Sequence, residues 1–166
     1  MTDPRDPTGT RTAGHPPAPR CVALVGPPGG GKTTLLESLL HAAGAIDRKG
    51  TVATGNTVGD SSDEARTRGL TTETTVVATQ YMGDAWTLLD CPGSIELMQE
   101  AMDALMAVDA AVVVCEADPA KALALAPLLR FLDDRAIPHL VFVNKMDTAA
   151  ARVRDVLAAL QVLSAR

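Results

Sequence analysis

Gly26-Pro-Pro-Gly-Gly-Gly-Lys-Thr33 constrains this chain more than any other stretch, because of what lies on either side of it. Cys21-Val-Ala-Leu-Val25 is a short apolar run of the kind that forms a strand buried on both faces. From Thr33 to Ala43, Leu35, Leu36, Leu39, Leu40 and Ala43 recur at helical spacing, and Gly44 closes the run. Strand, glycine loop and helix are the context that G-x-x-x-x-G-K-[ST] needs to hold phosphate. Gly29, Gly30 and Gly31 let backbone N–H groups curl around a di- or triphosphate, and the helix N-terminus adds its dipole. Lys32 supplies a cation to the β and γ oxygens, and Thr33 offers a hydroxyl to Mg²⁺. Pro27 and Pro28 lack N–H groups but occupy the rising part of the loop, ahead of the donors.

The rest of the chain alternates in the same way. Residues 45–72 show no sustained period and are rich in Gly, Ser, Thr and charge, which predicts a long loop, functional or disordered. Glu73–Gln80 and Ala85–Asp90 read as two strands joined by the Met82-Gly83-Asp84 turn, a hairpin. Ile95–Ala107 reads as a helix whose Met98, Met102 and Met106 stripe packs into the core. Ala110–Cys115 is a further buried strand, and Asp118-Pro119 opens a helix carrying Leu125, Leu128, Leu129 and Leu132. Pro138–Val143 is a strand, and Val153, Val156, Leu157 and Leu160 mark a last helix. Such alternation implies a largely parallel sheet covered on both faces.

Two further motifs follow strands. Asp90-Cys-Pro-Gly93 places a carboxylate where it can hold Mg²⁺ through water, and the N–H of Gly93 where it can approach a γ-phosphate. Asn144-Lys145-Met-Asp147 is a base-reading loop: the Asp147 carboxylate can accept both the N1–H and the 2-amino group of guanine, which adenine does not present. The expected ligand is therefore GTP or GDP rather than ATP.

Length and composition exclude other classes. The 166 residues suit one domain. Residues 1–19 carry five prolines and no aliphatic side chain larger than alanine after Met1, so they read as a disordered tail ahead of a domain at 20–166. Aromatic residues make up 2% and the net charge is −5, which argues against direct nucleic-acid binding and against an anionic membrane surface. With no long apolar run and no apolar N-terminal segment, the expected location is the cytoplasm. Cys21, Cys91 and Cys115 are far apart, without a C-x-x-C pair, and read as small apolar residues in or beside strands.

With these motifs in order, residues 20–147 resemble the translation-factor GTPases, in particular elongation factor G and its EF-G-like relatives. The chain has G-x-x-x-x-G-K-T-T including Thr34, then Arg68-Gly69-Leu70-Thr71 for the family's R-G-I-T. Asp90-Cys-Pro-Gly-Ser94 stands for D-T-P-G-H, and Phe142-Val-Asn-Lys-Met-Asp147 follows. The resemblance implies a Ras-like P-loop α/β domain with a mixed, mostly parallel sheet. It makes residues 45–72 switch I, with Thr71 as the second hydroxyl on Mg²⁺ and Thr72 a competing candidate, and residues 90–98 switch II. It also implies the ribosome as a partner, and it makes this chain a truncated G domain that lacks the final strand and leaves Pro138–Val143 with an open apolar edge. The family's water-orienting histidine is Ser94 here, and its usual P-loop His and Asp are Pro27 and Gly29.

The expected reaction is attack of water on the γ-phosphate, with Lys32, Thr71 and Ser94 as the residues nearest the chemistry, slowed by Ser94. The rival is a GTP-sensing module without useful turnover. A P-loop nucleotide kinase or ATPase is a third reading, but it gives no reason for Asn144-Lys-Met-Asp147.

Overall fold

The structure, a computed structural model, describes residues 20–59, 71–149 and 151–163. The expected tail at 1–19 and the Arg68-Gly69-Leu70 part of switch I lie outside the described residues.

Five strands form one sheet in the order β2-β3-β1-β4-β5. They are β1 (Arg20–Val25), β2 (Thr75–Tyr81), β3 (Asp84–Asp90), β4 (Ala110–Glu116) and β5 (His139–Asn144). The pairs β1–β3, β1–β4 and β4–β5 are parallel, and β2–β3 is the antiparallel hairpin. The hairpin turn is Met82-Gly83, both at positive φ (52° and 84°), the geometry of a two-residue turn that follows the strand twist.

Period-2 alternation sends the central strands to two cores. Ala23, Val25, Ala111, Val113 and Cys115 face one, where they meet Leu105, Leu125, Leu129, Leu132 and Val156 from the covering helices. Leu24 and Leu88 face the other, against Leu36 and Leu40 of α1 (Lys32–Ala42). Each fully buried leucine of this kind contributes about 1.5–3 kcal/mol. The first core is roofed by α2 (Met98–Leu105), α3 (Pro119–Ala122), α4 (Ala126–Asp134) and α5 (Val153–Gln161).

Several local expectations change. The helix expected over Ile95–Ala107 begins as a 3₁₀ turn at Ile95–Leu97, and its buried face is Ala101 and Leu105, while Met106 is exposed and its sulfur accepts from Arg135. Methionines at i, i+4 share a face, but the face turned to the sheet is the neighbouring one. The long helix after Asp118 is broken by a 3₁₀ turn at Leu123–Leu125. Its start is as expected, with Pro119 at the first turn and the Asp118 carboxylate accepting from the Ala120 N–H at 2.9 Å. In the last helix Val156 and Leu160 are buried, but Val153 and Leu157 are exposed. Strand β5 is last in the sheet order among the described residues, and its Leu140 and Phe142, which share one face, are 56% and 38% exposed.

The arrangement matters because four parallel strands end on one edge. Val25, Asp90, Glu116 and Asn144 are their last residues, so the glycine loop, the D-x-x-G turn and the N-K-x-D turn all emerge there. Antiparallel pairing sets Thr75 beside Asp90, which brings Thr71 to the same edge.

Candidate nucleotide-binding site

The glycine loop leaves β1 and enters α1 at Lys32. That side chain is 5% exposed, and its ammonium donates to the carbonyls of Gly26 and Pro27 at 3.0 Å each. Burial pulls its pKa below the usual lysine value, against the opposing pull of the nearby Asp90 carboxylate. Lys32 is thus an incompletely compensated buried cation, a state that added phosphate oxygens relieve.

Thr33 follows on the first turn of α1. Its hydroxyl donates to Asp90 Oδ2 at 2.6 Å and lies 3.2 Å from the Thr71 hydroxyl. Asp90 itself is fully buried. Thr71, and not Thr72, therefore meets Thr33, and nearby Glu100 Oε1 accepts the Thr74 N–H at 2.6 Å. Two hydroxyls and a carboxylate make an all-oxygen donor set, the chemistry Mg²⁺ prefers. The set fits the ion.

Gly93 shows why its turn carries no side chain. A Cβ there would stand 2.4 Å from Lys32 Nζ and 2.7 Å from the Gly26 carbonyl oxygen, so any other residue would push the turn off the glycine loop. Ser94 follows in extended conformation and opens the Ile95–Leu97 turn.

The third motif is tied to the first. Asn144 Nδ2 donates to the Gly30 carbonyl at 3.0 Å. Gly31, at φ 96°, sits so close that an added Cβ would be 2.2 Å from that Nδ2. Lys145 adopts φ 56°, and its ammonium pairs with Glu116 Oε1 at 3.0 Å. The hydrogen bonds from Lys121 and then Lys145 hold the Glu116 carboxyl below the usual range. Asp147 is exposed in the turn beyond.

These elements enclose a cleft of about 280 Å³. Gly29, Gly31, Lys32, Thr33 and Thr34 line it from the loop and α1, Thr71, Gly93 and Ser94 from across, and Lys145 from the base-side turn. Gly26, Gly30, Asp90, Asn144 and Asp147 do not line it: Asp90 and Asn144 act behind it on Thr33 and Gly30, and Asp147 stands beyond its edge. Sequence reasoning missed Val52, which lines the cleft from the 45–59 loop. It also missed Glu37, a carboxylate within the buried stripe of α1.

Comparison with known proteins agrees with this geometry. The profile of the elongation factor Tu GTP binding domain family matches residues 18–165. The chain is 54% identical over 147 residues to an elongation factor G-like protein of Synechocystis sp., covering 89% of this chain and 22% of that one. It is 38% identical to an elongation factor G-like protein of Mycobacterium tuberculosis, covering 90% and 21%. To peptide chain release factor 3 of Lactococcus lactis it is 34% identical, covering 86% and 28%. A crystal structure of a Thermus thermophilus protein superposes with a TM-score of 0.80 at 35% identity, over 86% of this chain and 22% of that one. The chain thus spans between 21% and 28% of the length of these relatives.

Proposed function

This chain belongs to the elongation factor Tu GTP binding domain family, and from that premise we propose that it is the guanine-nucleotide switch of an elongation factor G-like translation factor that hydrolyses GTP slowly. The observation that carries the reading is the meeting of Thr33, Thr71 and Asp90 beside Lys32, from three separate segments, at one sheet edge.

The Gly29 and Gly31 amides, the helix dipole and Lys32 bind the phosphates, while the Gly30 N–H is bonded within the loop to the Pro27 carbonyl at 3.3 Å. Thr33 and Thr71, with Asp90 behind them, are the residues that would hold Mg²⁺, which supplies charge neutralisation on the β- and γ-phosphate oxygens. In hydrolysis the water oxygen bonds to the γ phosphorus as its bond to the β–γ bridging oxygen breaks, releasing GDP and inorganic phosphate. Lys32 stabilises the charge that builds on the leaving diphosphate. Ser94, at the rim of the cleft, is the side chain next to the attacking water, and its short hydroxyl holds that water poorly. Loss of phosphate frees Thr71 and Gly93, and with them the adjoining residues 71–72 and 90–98. The names of the relatives, elongation factor G-like protein and peptide chain release factor 3, support a role in translation; the ribosome as partner and the cytoplasm as location are part of this proposal.

The second reading, a GTP sensor without useful turnover, is favoured by Ser94 alone. Competition binding separates the nucleotide claim from its rivals. The full chain should bind labelled GDP with Mg²⁺, lose it to GTP but not to equal ATP, and lose binding on Lys32→Ala. Equal displacement by ATP would overturn the guanine reading.

A further inference from the structure

Glu37 lies one turn beyond Thr33 on α1, in the stripe Lys32, Thr33, Leu36, Glu37, Leu40 that the helix buries. It is 1% exposed. Its two oxygens are spent on one loop: Oε2 accepts the Gly50 N–H and Oε1 the Val58 N–H, both at 2.6 Å. Bonds from backbone N–H to an ionised carboxylate are among the strong ones.

The stretch between those two amides is closed on itself. Asn56 Oδ1 accepts from the Thr51 N–H at 2.8 Å and from the Thr54 hydroxyl at 2.6 Å, and the Thr51 and Thr54 hydroxyls lie 2.7 Å apart. Its two ends are pinched together, since a Cβ on Gly50 would come within 2.4 Å of the Asn56 carbonyl oxygen and 2.7 Å of Thr57 Cα. A unit tied internally and held at both ends moves as a whole. Val52, at the 3₁₀ turn within it, lines the same cleft as Gly29, Gly31 and Lys32.

We infer that Glu37 is a positioning residue, a latch whose carboxylate holds the 50–58 loop over the phosphate end of the cleft and so slows nucleotide release. The inference rests on the nucleotide reading of that cleft. The helix that presents Lys32 and Thr33 to phosphate at its first turn thereby grips the cleft's cover at its second, so ligand and loop share one rigid element. Apolar residues at position 37 would bury as well in α1, but they would leave two amides unpaired.

The test compares the wild-type full chain with Glu37→Gln and Gly50→Ala, reading amide hydrogen exchange at Gly50 and Val58 and the release rate of a fluorescent GDP. Glutamine keeps the shape but turns one N–H donor toward another, and the alanine methyl pries the pinched ends apart without touching Glu37. In Glu37→Gln, the amide that faces the new NH₂ group, Gly50 or Val58, should lose protection while the Leu35 amide, bonded to Gly31 within the site, keeps its own. Release should quicken by about tenfold to a hundredfold, the effect of one or two lost charge-assisted bonds. Preference for guanine over adenine should not change. Should Glu37→Gln not fold, Gly50→Ala decides alone: faster release supports the latch, and wild-type release overturns it. Unchanged protection at Gly50 and Val58 in Glu37→Gln overturns it whatever the ligand, and lost protection with unchanged release overturns its link to the cleft. A wild-type chain without affinity for GDP would instead sink the nucleotide reading.

Discussion

The Thr33 hydroxyl donates to Asp90 Oδ2 at 2.6 Å, joining the end of the glycine loop to the end of β3 across 57 positions of sequence. Both residues are buried, Thr33 at 9% and Asp90 at 0% exposure, so the bond is made in a medium where electrostatics is strong.

That bond makes Asp90→Asn an informative substitution. The amide keeps the size and can still accept from Thr33, but it removes the negative charge behind the magnesium donors. Affinity for GDP in the presence of Mg²⁺ should fall by roughly tenfold to a hundredfold, the range for losing a charged partner. Affinity in EDTA should hardly change. Titration in both buffers gives the answer, and a variant with the full magnesium response would show that Asp90 does not serve the ion.

A second substitution reads the base. If the Asp147 carboxylate accepts the two donors of guanine, Asp147→Asn should weaken GTP and favour xanthosine triphosphate, whose O2 acceptor matches an amide donor. Relative Kd values for the two nucleotides in both proteins are the measurement. An unchanged preference would remove Asp147 from base recognition.

How much of this was legible before the structure follows from where each signal lives. Gly26–Thr33, Asp90–Gly93 and Asn144–Asp147 are local patterns set between apolar runs, and parallel pairing carries them to one edge, as alternation predicts. Glu37 was hidden because the leucines at 35, 36, 39 and 40 suggest one apolar face, whereas Leu39 is 40% exposed and the buried stripe runs one position aside. A carboxylate between Leu36 and Leu40 was the available signal. The 3₁₀ break at Leu123–Leu125 left no trace either, since Leu125, Leu128, Leu129 and Leu132 keep helical spacing and all remain buried. Val52 could not be found at all, because loop contacts across a cleft have no period.

The thiol next to Asp90 supplies a prediction in pH. Burial, and then the Asp90 charge, push the Cys91 pKa up to about 12 from 9.0. At pH 8 only ~1 in 10⁴ such thiols is ionised, against about one in ten for an ordinary one, so native Cys91 should resist alkylation for the time in which the unfolded chain is fully labelled. The folded state holds the thiol proton more tightly than the unfolded one. Its contribution to stability is therefore complete below pH 9.0 and is lost as pH rises from there toward about 12. Mass spectrometry after iodoacetamide at pH 8 checks the first point, and urea midpoints from pH 8 to 11, compared with Cys91→Ala, check the second. Rapid native labelling at pH 8 would mean that the β3 end opens to solvent.

Ser94 carries the claim about rate. It lines the cleft beside Gly93, whose close approach to Lys32 fixes the turn, so a longer side chain at 94 would start from the same place and reach further over the phosphate end. Imidazole can hold a water at a distance that a serine hydroxyl cannot span, and it can carry charge at neutral pH. Ser94→His should therefore speed single-turnover hydrolysis by ~10²–10⁴, the usual range for a positioned catalytic side chain. GTP affinity should change little, because the phosphates are bound by Gly29, Gly31 and Lys32 rather than by residue 94. A partner could itself supply a water-orienting group, so the rates belong in assays with and without ribosomes. Faster hydrolysis in the histidine variant under both conditions supports the slow-switch reading. Equal rates in the two proteins, at the level of a stimulated GTPase, would assign the water to another residue and make this domain a working hydrolase despite its serine.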